Sequence, residues 1–431
     1  MPKRLTREGI MSQQVNRTYD TLSGCGSALG WLWGIRILAF HVVDVREFES
    51  EVIKIRRRIH AYPELSYKEY QTSAFVARKL RALGMTVRTR VGGTGVVGLL
   101  KGRKGGNVVA LRADMDALPV TENVDVPFKS THPGVMHACG HDTHVAMLLG
   151  AAMLLSKRRN DLSGQVKFLF QPAEEAGGKG GAKPMIEDGV MNNPKVDYVF
   201  GLHISGTEPS NVFALRPGPL MAAPDTFRIR IIGKGGHGSA PHEAVDPIFA
   251  AAQVVTALQG VTSRLVDQRE PLVVSVCSIH SGTKDNIIPD EARLQGTIRT
   301  FNEKTRSQAK KYVRQVAESV SKAFKARAEV EFKPDEYPVT VNDPTVTRRV
   351  VSILRKIHGT RTIESKQVMG AEDFSRFLQK APGAFYFLGT LNPSKGCVNT
   401  NHSSEFKVDE DVLKYGSLSL ANLAYEFGKT N

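Results

Sequence analysis

At 431 residues, 41% hydrophobic and 23% charged, the chain is globular in composition and too long for one ordinary hydrophobic core, which predicts two domains. A formal charge of +15 would suit nucleic acid, yet the densest basic runs, 54–58 and 157–159, are short and lack interleaved aromatic residues. They read as solvated helix faces, and no nucleic-acid partner is expected. Four cysteines, Cys25, Cys139, Cys277 and Cys397, lie far apart with no CxxC pair, which excludes a zinc ribbon or a disulfide scaffold and fits a reducing, cytoplasmic setting.

Residues 1–47 hold one apolar stretch, 28–43, interrupted by Arg36 and His41 and too short to span a bilayer. No membrane anchor is expected, and the segment reads as a dispensable extension translated from an upstream start. From residue 48 a helical period predicts helices over 51–60 and 70–83, the second stopped by Gly84. β-Branched runs at 95–100, 108–113, 166–171 and 198–202, separated by helical stretches such as 143–156, predict an α/β domain with a mainly parallel central sheet.

Near Pro224 the rhythm changes to strand TFRIRIIGK, helix 246–260, strand PLVVSVCSIHSG, strand EARLQGTIRTF, helix 303–326 and strand AEVEF. This βαββαβ order predicts a ferredoxin-like insert at 224–336, so that 48–223 and 337–431 form one discontinuous domain. Cys277, on an apolar strand of the insert, is expected in its core.

The chemistry concentrates in MHACGHDTH, where Cys139, His141 and His144 fall within a few residues. Downstream stand Glu174 and Glu175 in FQPAEEAGG, His203 in VFGLHIS and His402 in NTNHSSEF. Thiolate, carboxylate and imidazole together suit zinc and admit cobalt, nickel or manganese. Cys139, His141, Glu175, His203 and His402 are too many for one tetrahedral ion, so two metal ions bridged by the Cys139 thiolate are expected. Adjacent glutamates at a strand end diverge, so one binds metal while the other handles protons. Two divalent ions against Cys139 and Glu175 leave about +2, enough to make a metal-bound hydroxide the expected nucleophile with Glu174 as general base. His132, His137 and His144 read as supporting groups, and Asp114 reads equally well as a ligand or a loop former.

These residues resemble the metal-dependent aminoacylases and carboxypeptidases related to glutamate carboxypeptidase, in the subgroup of hippurate hydrolases and auxin-conjugate hydrolases, and most closely the archaeal thermostable carboxypeptidase type. The resemblance runs from about Phe48 to the C-terminus through RRxIHxxPEL, LRADMDALP, MHACGHD, QPAEE, GKGGHGSAPH, GTKDNIIP, GTIRT, GAEDF and NHS. It implies Cys139 as bridge, His141, Glu175, His203 and His402 as the other ligands, Glu174 as base and Asp116 as the residue that orients a ligand. It also implies that His237, Asn286 and Arg299 of the insert bind substrate, with His237 reaching the site of a dimer partner. Where the wider family has His-x-Asp and a bridging aspartate, this chain has Asp114-Met115-Asp116 and Cys139, with His141 in compensation.

The expected activity is hydrolysis of an amide bond beside a free α-carboxylate, releasing C-terminal amino acids from peptides and N-acylated amino acids. A homodimer or homotetramer through the insert, acting as a lid, is expected. The rivals are a strict N-acyl-amino-acid hydrolase without peptidase activity and a metal-free cysteine hydrolase using Cys139.

Overall fold

Buried Val45, Val52, Ile55 and Ile59 recur at helical spacing along α1 (Val42–Ala61), the apolar stripe that turns a helix toward a core. A computed structural model describes residues 39–358 and 361–430. The helix starts nine residues before the expected 51, and Ala39 and Phe40 are buried ahead of it, so residues 39–47 pack with the body instead of forming an extension. Residues 1–38, with most of the apolar stretch 28–43, lie outside the described residues.

The chain continues through α2 (Tyr70–Ala82), stopped by Gly84 at φ +74°, then β1 (Thr86–Val91), β2 (Gly95–Lys101) and β3 (Lys104–Asp114). Next come α3 (His141–Lys157), β4 (Ser163–Gln171), α4 (Ala182–Glu187), β5 (Tyr198–Pro209), β6 (Phe213–Leu215) and β7 (Gly218–Met221). The expected insert supplies β8 (Ala223–Ile232), β9 (Gly236–His237), α5 (Pro247–Gly260), β10 (Leu272–Ser281), β11 (Ile287–Ile288), β12 (Glu291–Thr300), α6 (Glu303–Ala323) and β13 (Arg327–Phe332). The chain ends with β14 (Thr340–Asn342), α7 (Pro344–His358), β15 (Thr362–Glu364), α8 (Ser375–Leu378), β16 (Gly383–Leu391) and α9 (Leu413–Gly428).

The large sheet runs β1-β2-β4-β3-β5-β16-β6-β15. It is parallel at its centre, where β4, β3, β5 and β16 lie side by side, and antiparallel toward β1, β2 and the β16–β6 pair, so the sheet is mixed. Its central strands are buried on both faces. Along β4, Phe168 and Phe170 enter the core under α1, α3 and α9, while Leu169 enters the second core beside α4 and α8. This period-two division leaves few polar positions on the central strands, Arg112, Lys167 and His203 among them, and most of the candidate groups fall in the segments that follow the strands. Helix α3 is buried on nearly every face, which matches its uninterrupted apolar run.

The smaller sheet, β10-β12-β8-β13, is antiparallel throughout. Phe227, Ile229, Ile231, Leu294 and Ile298 pack against Ala250, Val254, Leu258, Ala309, Val313 and Ala317 of α5 and α6. Asp246 and Asn302 cap those helices by accepting from two backbone N–H groups each. The observed β8-α5-β10-β12-α6-β13 order is the expected βαββαβ. Cys277 is a correction: it is exposed and not in the core. Leu272, Val274 and Val276 face the core, so strand alternation puts Cys277 on the opposite face of this edge strand, where a bulge between Val276 and Ser278 also leaves it without a ladder partner.

Candidate metal centre

Gly140 shapes the turn on which the centre depends. It stands at φ +93° just before α3, and a Cβ there would lie 2.3 Å from Cδ1 of Ile204, so only glycine fits. Cys139 and His141, on either side of this turn, each group with Glu175. The loop carrying His402 is tied to the turn, because His402 N–H donates to the Ala138 carbonyl (2.8 Å) and Asn401 Nδ2 donates to the Cys139 carbonyl (2.8 Å).

The five expected ligands come together. Cys139 Sγ lies 3.4 Å from His203 Nε2 and 3.3 Å from His402 Nε2. Glu175 Oε1 in turn lies 3.3 Å from His402 Nε2 and 3.9 Å from His141 Nε2. His141 Nδ1 is bonded to the Asp116 carbonyl (2.9 Å) and His203 Nδ1 to the Ile204 carbonyl (2.6 Å). Each carbonyl accepts a hydrogen bond from Nδ1–H, which leaves Nε2 as the nitrogen that can present a lone pair to a cation. His203 lies inside β5 and not at its end, just beyond Gly201, where the β3 ladder stops, so its side chain is free of that neighbour.

His144 groups with Asp114, His141 and His203, but both of its ring nitrogens are engaged. Its Nδ1 is 2.5 Å from Asp114 Oδ1, and its Nε2 accepts the Ile204 N–H at 2.9 Å. Asp114 is engaged by His144 and by Arg112 Nη1 (2.7 Å), the arrangement of an ion-paired support, although its Oδ2 also approaches His141 Nε2 at 3.5 Å. Burial pushes the His137 imidazole down to about 3, so it is neutral, and His132 is occupied by the Pro63 carbonyl.

Glu174 and Glu175 begin a single 3-10 turn after β4, entered through Ala173 at φ +54°. They therefore diverge by the turn and not by strand alternation. Asp116 holds the turn: its carboxylate accepts from Glu174 N–H (3.2 Å), Glu175 N–H (3.0 Å) and Ser66 Oγ (2.6 Å). Glu174 groups with His141 and Glu175 on one side and with Glu372 and Asp373 on the other. Burial, then Glu372, Glu175 and Asp373, hold its carboxyl well above the ordinary range against the pull of Arg112.

The supporting cast was not assigned from sequence. Arg112, fully buried on β3, pairs with Asp114, Glu372 (2.8 Å) and Asp373 (3.0 Å) and donates to Gln171 (2.9 Å). Behind His141, Asp142 accepts from Arg56 (2.8 Å) and meets His60 Nδ1 at 2.9 Å, while His60 Nε2 meets Glu122 at 3.0 Å. The signal for both lay in LRADMDALP, GAEDF and RRxIHxxPEL, where a buried cation needs carboxylates from elsewhere in the chain.

The residues fit a metal. His141 Nε2 and Glu175 Oε1 are buried with no hydrogen-bond partner. Burial works against charge on His141, but Asp114, Asp116 and Glu175 raise its imidazolium to about 10, so the surroundings demand a cation there. Burial and the carboxylates push the Cys139 thiol well up, and a bound cation would reverse that.

The insert's candidates stand apart from this cluster. His237, on β9, is exposed and its Nδ1 accepts from Ser239 Oγ (2.8 Å), and Asn286 is exposed beside it, its carbonyl accepting from Gly238 N–H (2.8 Å). Arg299, half-buried on β12, donates to Thr297 Oγ1 (2.6 Å) and to the Ile298 carbonyl (3.3 Å). Among the described residues none of the three bonds to a candidate ligand.

Residues 110–426 match the model of Peptidase family M20/M25/M40. The chain is 60% identical over 385 residues to thermostable carboxypeptidase 1 of Saccharolobus solfataricus, covering 89% of this chain and 97% of the relative. It is 39% identical over 380 residues to the N-acetylcysteine deacetylase of Bacillus subtilis, covering 88% and 97%. The crystal structure of the Bacillus subtilis YXEP protein, described as a dinuclear metal binding peptidase, superposes with a TM-score of 0.78 at 37% identity, covering 89% of this chain and 99% of that one. Sequence, fold and the convergence of donors agree, and the chain belongs to Peptidase family M20/M25/M40.

Proposed function

We propose that the chain is a dimetal amidohydrolase that cleaves an amide bond beside a free α-carboxylate, releasing C-terminal amino acids from peptides and from N-acylated amino acids. The observation that carries this reading is the run of donors His203, Cys139, His402, Glu175 and His141, with Glu174 buried beside its last two members. Five donors exceed one tetrahedral ion and suit two that share the Cys139 thiolate. The mixed sulfur, nitrogen and oxygen set favours zinc and admits cobalt, manganese and nickel. When bound, such ions supply Lewis acidity to the scissile carbonyl and acidify the attacking water.

The protein's own part is proton transfer and positioning. Glu174 takes the proton of the attacking water and delivers it to the leaving amine, a role supported by its place beside His141 and Glu175. Asp116 keeps His141 and the Glu174 turn in register. The insert, 224–336, acts as a lid over a domain formed by 48–223 and 337–431 and assembles the homodimer or homotetramer. His237 donates to the developing oxyanion in a partner's site, and Asn286 and Arg299 hold the substrate, Arg299 by its carboxylate. A cytoplasmic location goes with the reduced thiol that Cys139 must keep.

The carboxypeptidase relative supports peptide substrates, and the deacetylase relative supports a second reading, a strict N-acyl-amino-acid hydrolase. The test strips the protein with a chelator, restores zinc, cobalt or manganese, and assays a short unblocked peptide beside the N-acetyl form of its C-terminal amino acid. Loss on chelation, recovery with metal and cleavage of both substrates are expected. Cleavage of the N-acetyl amino acid alone selects the second reading. Activity that survives chelation but not thiol alkylation overturns both in favour of a cysteine hydrolase.

A further inference from the structure

The chain leaves the smaller sheet at the end of β13 and re-enters the large-sheet body over residues 333–337, and this return segment is bonded at both ends. On the insert side, Lys333 N–H donates to the Thr226 carbonyl (2.9 Å) and Thr226 Oγ1 donates to Glu336 Oε1 (3.0 Å), Thr226 being part of β8. On the body side, buried Tyr337 donates its hydroxyl to the backbone carbonyl of Glu174 at 2.5 Å. Burial, with Asp373, Glu174 and Glu372 nearby, keeps that phenol protonated and therefore a donor.

The turn that Tyr337 grips is held on its far side too. Asp373 accepts from the N–H groups of Gly181 and Ala182 (2.9 Å each), and Tyr67 Oη donates to the Gly180 carbonyl (2.6 Å). Arg376 spans the two segments, donating to the carbonyls of Asp335 and Gly178. A Cβ on Gly180 would lie 2.9 Å from the Tyr337 oxygen, so the packing leaves no slack.

We propose that Tyr337 is a positioning residue, which through its bond to the Glu174 carbonyl sets the stance of the proton-handling carboxylate according to the orientation of the insert. The inference rests on the reading of Glu174 as the group that moves the proton. A shift of the return segment moves the carbonyl of Glu174, and about 1 Å at a reacting group changes rate by about 100-fold. The substrate need not touch Tyr337 for its loss to be felt.

Full-length Y337F removes only the hydroxyl. We expect metal content per subunit equal to wild type, KM within about 2-fold and kcat lower by about 10- to 100-fold. Amide exchange within 173–182 should quicken by about 10-fold, with the other segments unchanged. T226V, which removes the hydroxyl bond to Glu336 and leaves the backbone bond from Lys333 in place, should lower kcat by about 3-fold in the wild-type background and add nothing to Y337F, the non-additivity of residues that act in series. Unchanged kcat or unchanged exchange in Y337F overturns the proposal, as do effects of the two substitutions that multiply. Should Y337F fail to fold, T226V alone must still quicken exchange at 173–182, and an unaltered pattern there overturns the proposal equally. E174Q keeps the two failures apart: wild-type kcat in that variant refutes the role of Glu174 itself, whatever Tyr337 does.

Discussion

Asp116 meets His141 twice at one nitrogen: Nδ1 lies 2.9 Å from the Asp116 carbonyl and 3.2 Å from its carboxylate. The same carboxylate receives the N–H groups of Glu174 and Glu175, so one side chain aligns an imidazole and the turn bearing two carboxylates. In D116N an amide N–H faces N–H donors, and His141 loses the carboxylate that holds its Nδ1. Metal affinity should fall by about 10- to 100-fold, measured by competition with a chromophoric chelator. Wild-type affinity would remove Asp116 from this role.

Neighbouring glutamates give opposite phenotypes. E174Q should retain full metal content while kcat drops by about 100- to 10,000-fold, the usual worth of a general base. E175Q should instead lose metal, because the carboxylate between His141 and His402 is gone. Metal analysis beside steady-state kinetics separates the two, and the reverse pattern would exchange their roles.

The His60 network gives a stability that depends on pH. Burial and Arg56 oppose charge on His60, but Asp142 and Glu122 overcome them and raise it above the ordinary 6.5. Its contribution is therefore complete below about 6.5 and fades as pH climbs through the raised value. Burial opposes charge on Glu122, yet His60 and the Ser130 N–H lower it below the ordinary 4.5, so its contribution holds above 4.5 and is lost in acid as pH falls through the lowered value. H60N should cost about 3 kcal/mol in urea melts near pH 5.5, with the deficit shrinking in alkaline melts once pH has passed the raised value. A deficit that is the same at both pH values would show that His60 contributes packing alone.

Gly140 carries a backbone demand. G140A must place a Cβ at positive φ and against Ile204, costing about 2–4 kcal/mol from strain and overpacking. Thermal melts of the metal-stripped protein isolate this cost from lost metal binding. An unshifted melting temperature would mean that the turn relaxes freely.

Much of the architecture was legible in the residues. The βαββαβ insert reads directly from alternating strand and helix periods, because each element buries one face against its neighbours and its pattern shows that face. Helix α1 begins nine residues ahead of the expected 51, because the stripe of Val52, Ile55 and Ile59 continues back through Phe48 to Val45. Strand order and the antiparallel flanks of the large sheet were not readable, because pairing is decided between segments and not within them. The bulge at Cys277 has the same origin.

The ligand types and their order along the chain were set by sequence alone: Cys139 and His141 around a glycine, a glutamate pair after a strand, and His203 and His402 beside strand-like and polar-loop segments. Only the tertiary structure decided which of the histidines face one space and which are consumed elsewhere. His144 is spent on Asp114 and the Ile204 N–H, while His141 keeps Nε2 free because Asp116, far from it in sequence, holds its other nitrogen. Arg112, with partners at 114, 372 and 373, belongs to the same class. A side chain's chemistry is local, but its remaining capacity to bind depends on which distant groups have already satisfied it, and only folding brings those groups together.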